Sequence, residues 1–241
     1  MKLKIKANAY LKGLIIVSKP HLWLGWAEKH ARFFANTISL SRWVDAQDKA
    51  VFNDYYTSKR DNTKREHLYQ HIVDSYELNK SPFQYLEFGV SEGHSFRWWL
   101  SHIDNKETTF HGFDTFEGLP EDWGFFSKGA MSSSIPQVED TRATFYKGLF
   151  QDTLYPFIKR GDLKTECRKV IHMDADIFSA TIFTLTTLAP YINKGDIILF
   201  DEFNVPNHEY SAYKIFTESF YVKLRTIGSV NNYYQTAFIV E

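Results

Sequence analysis

The alternation of apolar and polar positions is clearest from residue 64 onward. Leu68, Ile72, Val73 and Tyr76 recur at i, i+4, i+5 and i+8, the stripe of an amphipathic helix, and Asn79-Lys80-Ser81-Pro82 breaks it. Short apolar runs then alternate with helical stretches. The runs predict strands over Gln84–Val90, Thr109–Asp114, Thr144–Leu149, Lys169–Asp174 and Asp196–Asp201. Helices are predicted over Gly93–Ile103, Asp152–Lys159, Ser179–Tyr191 and His208–Phe220, and a Gly/Pro/Ser-bearing loop over 115–138. Two further strands, Val222–Ile227 and Gln235–Val240, are joined by the turn Gly228–Asn232 and must therefore be antiparallel to each other. The expectation is an α/β fold with a doubly wound sheet of seven strands, parallel except for the last.

The first 50 residues read differently. Trp23, Trp26, His30, Phe33 and Phe34 have roughly helical spacing and predict a helix over about 21–36. Residues 1–63 are assigned to a basic, aromatic, helical extension and 64–241 to the main domain. The apolar face of the extension has four possible uses: packing on the body, a homo-oligomer seam, closure over a substrate, or a membrane surface.

Composition narrows the class. At 241 residues, 44% hydrophobic, 17% aromatic and 24% charged, the chain has apolar surface enough for a sizeable core. The net charge of −1 offers no field to recruit nucleic acid. It is unevenly spread: residues 1–50 hold nine Lys/Arg against three Asp/Glu, and the remainder is correspondingly acidic. The single cysteine, Cys167, permits neither an internal disulfide nor a thiolate zinc cluster and suits a reducing cytoplasm. No run reaches membrane-span length, and Leu14-Ile15-Ile16-Val17 is too short for an export signal.

The chemistry concentrates at predicted strand ends. In Glu87-Phe88-Gly89-Val90-Ser91-Glu92-Gly93-His94-Ser95 an apolar strand ends in a carboxylate, then turns through glycines into a helix. Open α/β sheets bind ligands at such carboxyl ends. The leading Glu87, with Ser91 where a dinucleotide fold wants its middle glycine, suits a cationic ligand better than a pyrophosphate. Asp114 ends the next strand, where an acidic residue can accept ribose hydroxyls. Asp174 ends the fourth strand, and Asp201 with Glu202 ends the fifth. These three should converge, and an all-oxygen set without Cys or clustered His favours Mg²⁺, Mn²⁺ or Ca²⁺ over Zn²⁺. Asp176 is read as the cap of the helix beginning near Ser179, with substrate binding as its other role. His67 and His71 lack the intervening Glu of a zinc protease helix and read as a surface or packed pair. His172, inside an apolar strand, reads as a hydrogen-bonded interior residue.

At this point a resemblance becomes specific. Phe113-Asp114-Thr115-Phe116-Glu117-Gly118-Leu119-Pro120-Glu121-Asp122-Trp123 is similar to the signature of the macrocin O-methyltransferase (TylF-like) family. So are Lys128-Gly129-Ala130, the block Lys147-Gly148-Leu149-Phe150-Gln151-Asp152-Thr153-Leu154, and His172-Met173-Asp174-Ala175-Asp176 with Asp201-Glu202-Phe203 further on. The blocks span about residues 64–220; the first 50 residues lie outside them. The resemblance implies the class I, Rossmann-like methyltransferase fold and binding of S-adenosylmethionine (SAM) by Glu87, Gly89, Ser91, Gly93, Ser95, Asp114, Thr115 and Asp174. It also implies that Phe150, Gln151 and Asp152 lie near the adenine, and that Asp174, Asp201 and Glu202 hold a divalent ion. Glu202 stands where the family often has a second Asp, a departure that bears on the metal more than on methyl transfer. The implied reaction is in-line methyl transfer to a hydroxyl of a small-molecule acceptor, such as a sugar, with Asp174 as catalytic base. A non-catalytic SAM-binding module and a nicotinamide oxidoreductase are the alternatives; clustered carboxylates and the missing glycine count against the second. The loop 115–138, with Trp123, Gly124, Phe125, Phe126 and Gly129, is expected to cover the acceptor.

Overall fold

The computed structural model describes residues 2–48, 51–123 and 125–241. The chain forms two compact units, Met1–Asp45 and Ala46–Glu241. The first consists of α1 (Lys2–Val17) and α2 (His21–Asp45). Lys19 takes the left-handed conformation (φ 50°) that ends a helix, and Pro20 opens the next, where its missing N–H costs nothing. Helix α2 runs nine residues beyond the predicted end at 36, and α1 has no counterpart among the sequence-based elements.

The second unit runs β1 (Phe52–Asn53), α3 (Lys64–Ser75), β2 (Phe83–Phe88), α4 (His94–His102), β3 (Thr109–Asp114), β4 (Ala143–Lys147), α5 (Phe150–Lys159), β5 (Arg168–Met173) and α6 (Phe178–Leu188). A short 3₁₀ turn, β6 (Ile197–Phe200), α7 (Glu209–Phe220), β7 (Leu224–Val230) and β8 (Gln235–Val240) complete it. The strands form one sheet in the order β1-β7-β8-β6-β5-β2-β3-β4. Only β8 runs against its neighbours, so the predicted antiparallel last strand is observed. Every residue of β2 is buried, as expected of a parallel strand with both faces covered. The chain's aromatic excess goes into this core: Tyr85 and Trp99 lie 5.3 Å apart and Phe88 stacks on Phe113 at 4.8 Å.

The sheet has eight strands, one more than predicted. The extra strand, β1, pairs in parallel with β7 through Phe52–Gly228 and Asn53–Ser229. Two residues are too few to show a period, so no pattern announced it. Residues 46–63, assigned by sequence to the extension, therefore belong with the sheet. The β7–β8 connection also differs. Gly228 lies inside β7, beside a register shift, rather than in the turn. Asn231, Asn232 and Tyr233 make the turn, with φ of 56°, 60° and 63°. Both Asn side chains then bond main chain upstream. Asn231 accepts from Asp61 N (2.9 Å) and donates to Asp61 O (2.9 Å), and Asn232 does the same with Thr57 (2.8 Å each). This clamp fixes residues 57–61 beside the carboxyl ends of the strands.

His111, in β3, is buried with Tyr146 Oη 3.2 Å from Nδ1 and Thr109 Oγ1 3.0 Å from Nε2. Burial, helped by Lys164 and opposed by Asp162, lowers its pKa to about 4. A depressed histidine stabilises the fold fully above its unfolded value of 6.5, and loses that contribution as pH falls through the folded value. Urea unfolding of the wild type should thus lose about 3 kcal/mol more than His111→Gln between neutral pH and pH ~4. Equal losses would show that His111 does not titrate on unfolding.

Candidate active site

The chain order reverses between β2 and β5, which are adjacent: β3 and β4 lie on one side, β6 on the other. That switch point is where an open α/β sheet leaves a crevice. Two main chains meet there. Asp174 N donates to Phe88 O at 2.9 Å, and Gly89 N donates to Phe113 O at 2.9 Å. Gly89 has φ 93°, and a Cβ on it would sit 1.8 Å from Asp174 O, so the approach requires glycine.

Above the crevice lies a cavity of about 610 Å³, within the range of small-molecule sites. Gly89, Ser91, Asp114, Thr115, Phe150, Gln151, Asp174, Asp201 and Glu202, all predicted from sequence, line it. Asp152, in the first turn of α5, does not, and neither do three other predicted residues. Glu87 points into the interior, where its carboxylate accepts from the Tyr85 hydroxyl and lies 3.7 Å from His172 Nδ1. It faces inward because it shares a side of β2 with Tyr85, two residues away. Ser95 is buried against Tyr69 (Oγ to Oη, 3.3 Å), and Gly93 shapes the start of α4 with φ 77°. These three stand behind the cavity wall. His172 is bonded inside the core to Tyr85 Oη (2.8 Å), as predicted.

Asp114 lines the cavity, yet its oxygens also organise the wall. Oδ2 accepts from Val90 N and Ser91 N, both at 2.7 Å, and Oδ1 from Phe116 N at 2.7 Å. The 115–138 loop contributes Trp123, Phe126 and Met131, and the Trp123 and Phe126 rings stack at 5.5 Å. Glu121 accepts from Ser179 Oγ at 2.9 Å, tying the loop to α6. Gly124 lies outside the described residues.

The other end of the cavity is acidic. Asp174, Asp201 and Glu202 reach the cavity from the ends of β5 and β6, together with Asp176. Asp176 is not the cap of α6: the capping position is Ile177, and Asp176 stands in a left-handed conformation (φ 59°) lining the cavity. Glu209 is buried in α7, where Oε2 accepts from Glu202 N at 3.0 Å. No pattern in sequence marked it, since it lies in the first turn of a helix where acidic residues are ordinary. Oxygens of Asp174, Asp176 and Glu202 lie within 4.8 Å of one another, as do ligand atoms of His172, Asp174 and Asp201, but the predicted trio Asp174, Asp201 and Glu202 forms no such group among the described residues. Asp174 touches the cavity but is otherwise enclosed by protein. That burial, followed by the charges of Asp201, Asp176 and Glu87, raises its pKa well above the carboxylate range. Burial and the charges of Asp201 and Asp114 push Asp176 up to about 6. Glu202 and Glu209 are raised for the same reasons, burial first.

Two cations answer this charge, both unmarked in sequence. Arg65 of α3 reaches Asp201 Oδ2 at 3.1 Å. Burial works to lower its pKa, but Asp201 and the neighbouring acidic groups outweigh it and the net shift is upward. Arg60, held by the Asn clamp, lies over the Tyr234 ring at 3.7 Å, and Tyr234 Oη donates to Glu202 Oε1 at 3.2 Å. Even so, Asp201 Oδ1, Glu202 Oε2 and Glu209 Oε1 are buried without a hydrogen-bond partner. Orphaned anionic oxygens in a low-dielectric site are costly. An all-oxygen set of this kind fits a hard divalent cation.

Residues 86–203 match the model of a family described as "Methyltransferase domain". No curated protein matches the chain. Among solved structures, the calicheamicin methyltransferase CalS11 superposes with a TM-score of 0.57 at 16% identity, over 86% of this chain and 91% of that one. The O-methyltransferase NovP superposes with a TM-score of 0.56 at 21% identity, over 73% and 79%. An apo structure of CalS11, a TDP-rhamnose 3'-O-methyltransferase, gives 0.51 at 16% identity over 86% and 93%. At these identities the superpositions speak to the fold. Together with the switch-point cavity, they give the unit Ala46–Glu241 the Rossmann-like fold of methyltransferases, with residues 86–203 similar in sequence to a methyltransferase-domain family.

Proposed function

We propose that this chain transfers the methyl group of SAM to a hydroxyl oxygen of a small-molecule acceptor, with a divalent cation at the acidic end of the cavity. The observation that carries the reading is the pair of orphaned carboxyl oxygens on Asp201 and Glu202, two residues that line a cavity at the carboxyl ends of β2, β3, β5 and β6. An affiliation with the macrocin O-methyltransferase-like branch is supported by the sequence blocks around Asp114, Phe150, Asp174 and Asp201. A sugar hydroxyl is the favoured acceptor, because one superposed enzyme, CalS11, is a TDP-rhamnose 3'-O-methyltransferase.

SAM supplies a methyl group already activated by its sulfonium, so the protein's task is alignment and proton removal. Gly89, Ser91, Asp114 and Thr115 line the part of the cavity assigned to the ribose and amino-acid portions, and Phe150 with Gln151 the part assigned to the adenine. The cationic sulfonium belongs near the carboxylates. A divalent ion held by Asp174, Asp201 and Glu202 would supply Lewis acidity toward the acceptor hydroxyl. Asp174, at the acidic end of the cavity, is the carboxylate we assign to take the acceptor's proton. Trp123 and Phe126 screen the site from water on the loop side.

Calorimetric titration with S-adenosylhomocysteine and, separately, NAD tests the cofactor. We expect the first to bind with a Kd of about 1–100 μM and the second not to bind. Mn²⁺ binding, followed by its electron paramagnetic resonance signal, tests the cation without reference to turnover. Binding of NAD alone would overturn the reading. Binding of SAM without methyl transfer to any sugar or phenol would leave a SAM-binding module instead.

A further inference from the structure

The unit Met1–Asp45 takes no part in the proposed chemistry, and it carries an apolar surface of its own. Around the corner where α1 meets α2, Leu14, Ile16, Val17, Leu22, Trp23 and Trp26 are 50%, 73%, 76%, 73%, 59% and 76% exposed. Further along α2, Phe33 and Phe34 are 51% and 67% exposed. Isolated exposed apolar residues are ordinary, but so many around one helix–helix corner mark an interaction site. The corner is itself well formed. Leu24 N donates to Pro20 O at 2.7 Å, Ser18 Oγ to Ile15 O at 2.7 Å, and the Trp23 indole N–H to Ser18 O at 3.5 Å.

We infer that this unit docks on an anionic lipid bilayer, its apolar corner entering the boundary between headgroups and acyl chains. Charge is the first argument. Residues 1–45 hold eight Lys/Arg and two Asp/Glu, a balance of +6 in a chain whose net charge is −1. Lys4, Lys6 and Lys12 are exposed along α1, so cationic side chains adjoin the apolar ones, the pairing that anionic membrane surfaces attract. Shape is the second. Leu14 and Ile16 are two residues apart on one helix and so point to nearly opposite sides. A single protein groove covers one side of a helix, whereas the acyl boundary closes around both. Composition is the third: Trp23 and Trp26 are the residue type that settles at membrane interfaces.

The unit lies on the bilayer rather than crossing it. No helix among the described residues is long and apolar enough to span a membrane. Helix α2 has the length, at 25 residues, but Glu28, Lys29, Arg32 and Arg42 interrupt it.

The test is co-sedimentation of the full chain with vesicles of phosphatidylcholine alone and of phosphatidylcholine mixed with phosphatidylglycerol. We expect partition onto the mixed vesicles, weakened at least ~10-fold by Trp23→Ser/Trp26→Ser, by Lys4→Glu/Lys6→Glu/Lys12→Glu, or by high salt with the wild type. Helical content by circular dichroism controls for folding of the variants, and the salt series needs no variant. Brominated lipid should quench tryptophan fluorescence in the wild type and less in the Trp23→Ser/Trp26→Ser variant. Failure to partition onto the mixed vesicles overturns the inference, as does equal partition by both variants and wild type. A lipid-free dimer that Trp23→Ser/Trp26→Ser dissociates would also overturn it, by naming a second copy as the occupant.

Discussion

Replacing Asp174 by Asn should lower methyl transfer by about 10²- to 10⁴-fold while the protein becomes more stable in the absence of divalent ions. The two effects have one cause. Asp174 is enclosed by protein and faces Asp201, Asp176 and Glu87, so its ionised form is disfavoured. Asparagine has nearly the same shape and leaves the main-chain bond from Asp174 N to Phe88 O in place, so the cavity wall keeps its form. It cannot accept the acceptor's proton, and it removes one charge from a repelling group. The expected rise in stability is about 1 kcal/mol. Single-turnover methyl transfer and thermal unfolding in chelator measure the two sides. S-adenosylhomocysteine affinity should change by no more than ~10-fold, because the other lining residues remain. Wild-type turnover in the variant would remove Asp174 from the mechanism. Lost turnover with lost stability would point instead to damage to the fold.

Gly89→Ala should be the most damaging single methyl group in the chain, costing about 4 kcal/mol or more of stability. Gly89 has φ 93°, and the added carbon would stand 1.8 Å from Asp174 O and 2.6 Å from its carbonyl carbon. The strand ends cannot part to admit it without breaking the bonds from Asp174 N to Phe88 O and from Gly89 N to Phe113 O. Gly161→Ala is the control. It too has positive φ, 80°, but a Cβ there meets nothing within 4 Å, so the cost is the backbone strain alone, about 1 kcal/mol. Urea midpoints of the two variants separate collision from strain. Equal losses would mean that the β2–β5 approach is softer than its geometry implies.

The acidic site was only partly legible. Asp174, Asp201 and Glu202 were readable because each ends an apolar run, and parallel neighbours end on one edge. Glu87 followed the same rule, yet its side chain turned inward beside Tyr85 and His172. Strand-end position sets the edge a residue reaches, while the period of two decides which face it takes. Arg60, Arg65, Glu209 and Tyr234 carried no signal. They come from a clamped loop, two helices and a hairpin turn distant in sequence.

By itself, the sequence determined the order of strands and helices from residue 64 onward, the antiparallel last strand, and the two strand ends at which Asp174, Asp201 and Glu202 stand. Those features follow from local periodicity and chain direction, which a linear pattern records. It also determined the basic, aromatic character of the first 45 residues. The tertiary structure decided the eighth strand, the Asn231–Asn232 clamp, the inward turn of Glu87, and the cations set against the acidic cluster. These depend on which distant segments share one small volume. There, burial and mutual repulsion raise the carboxylate pKa values, and a neighbouring guanidinium offsets part of the charge. No stretch of sequence contains that balance, because its partners meet only after the sheet has formed.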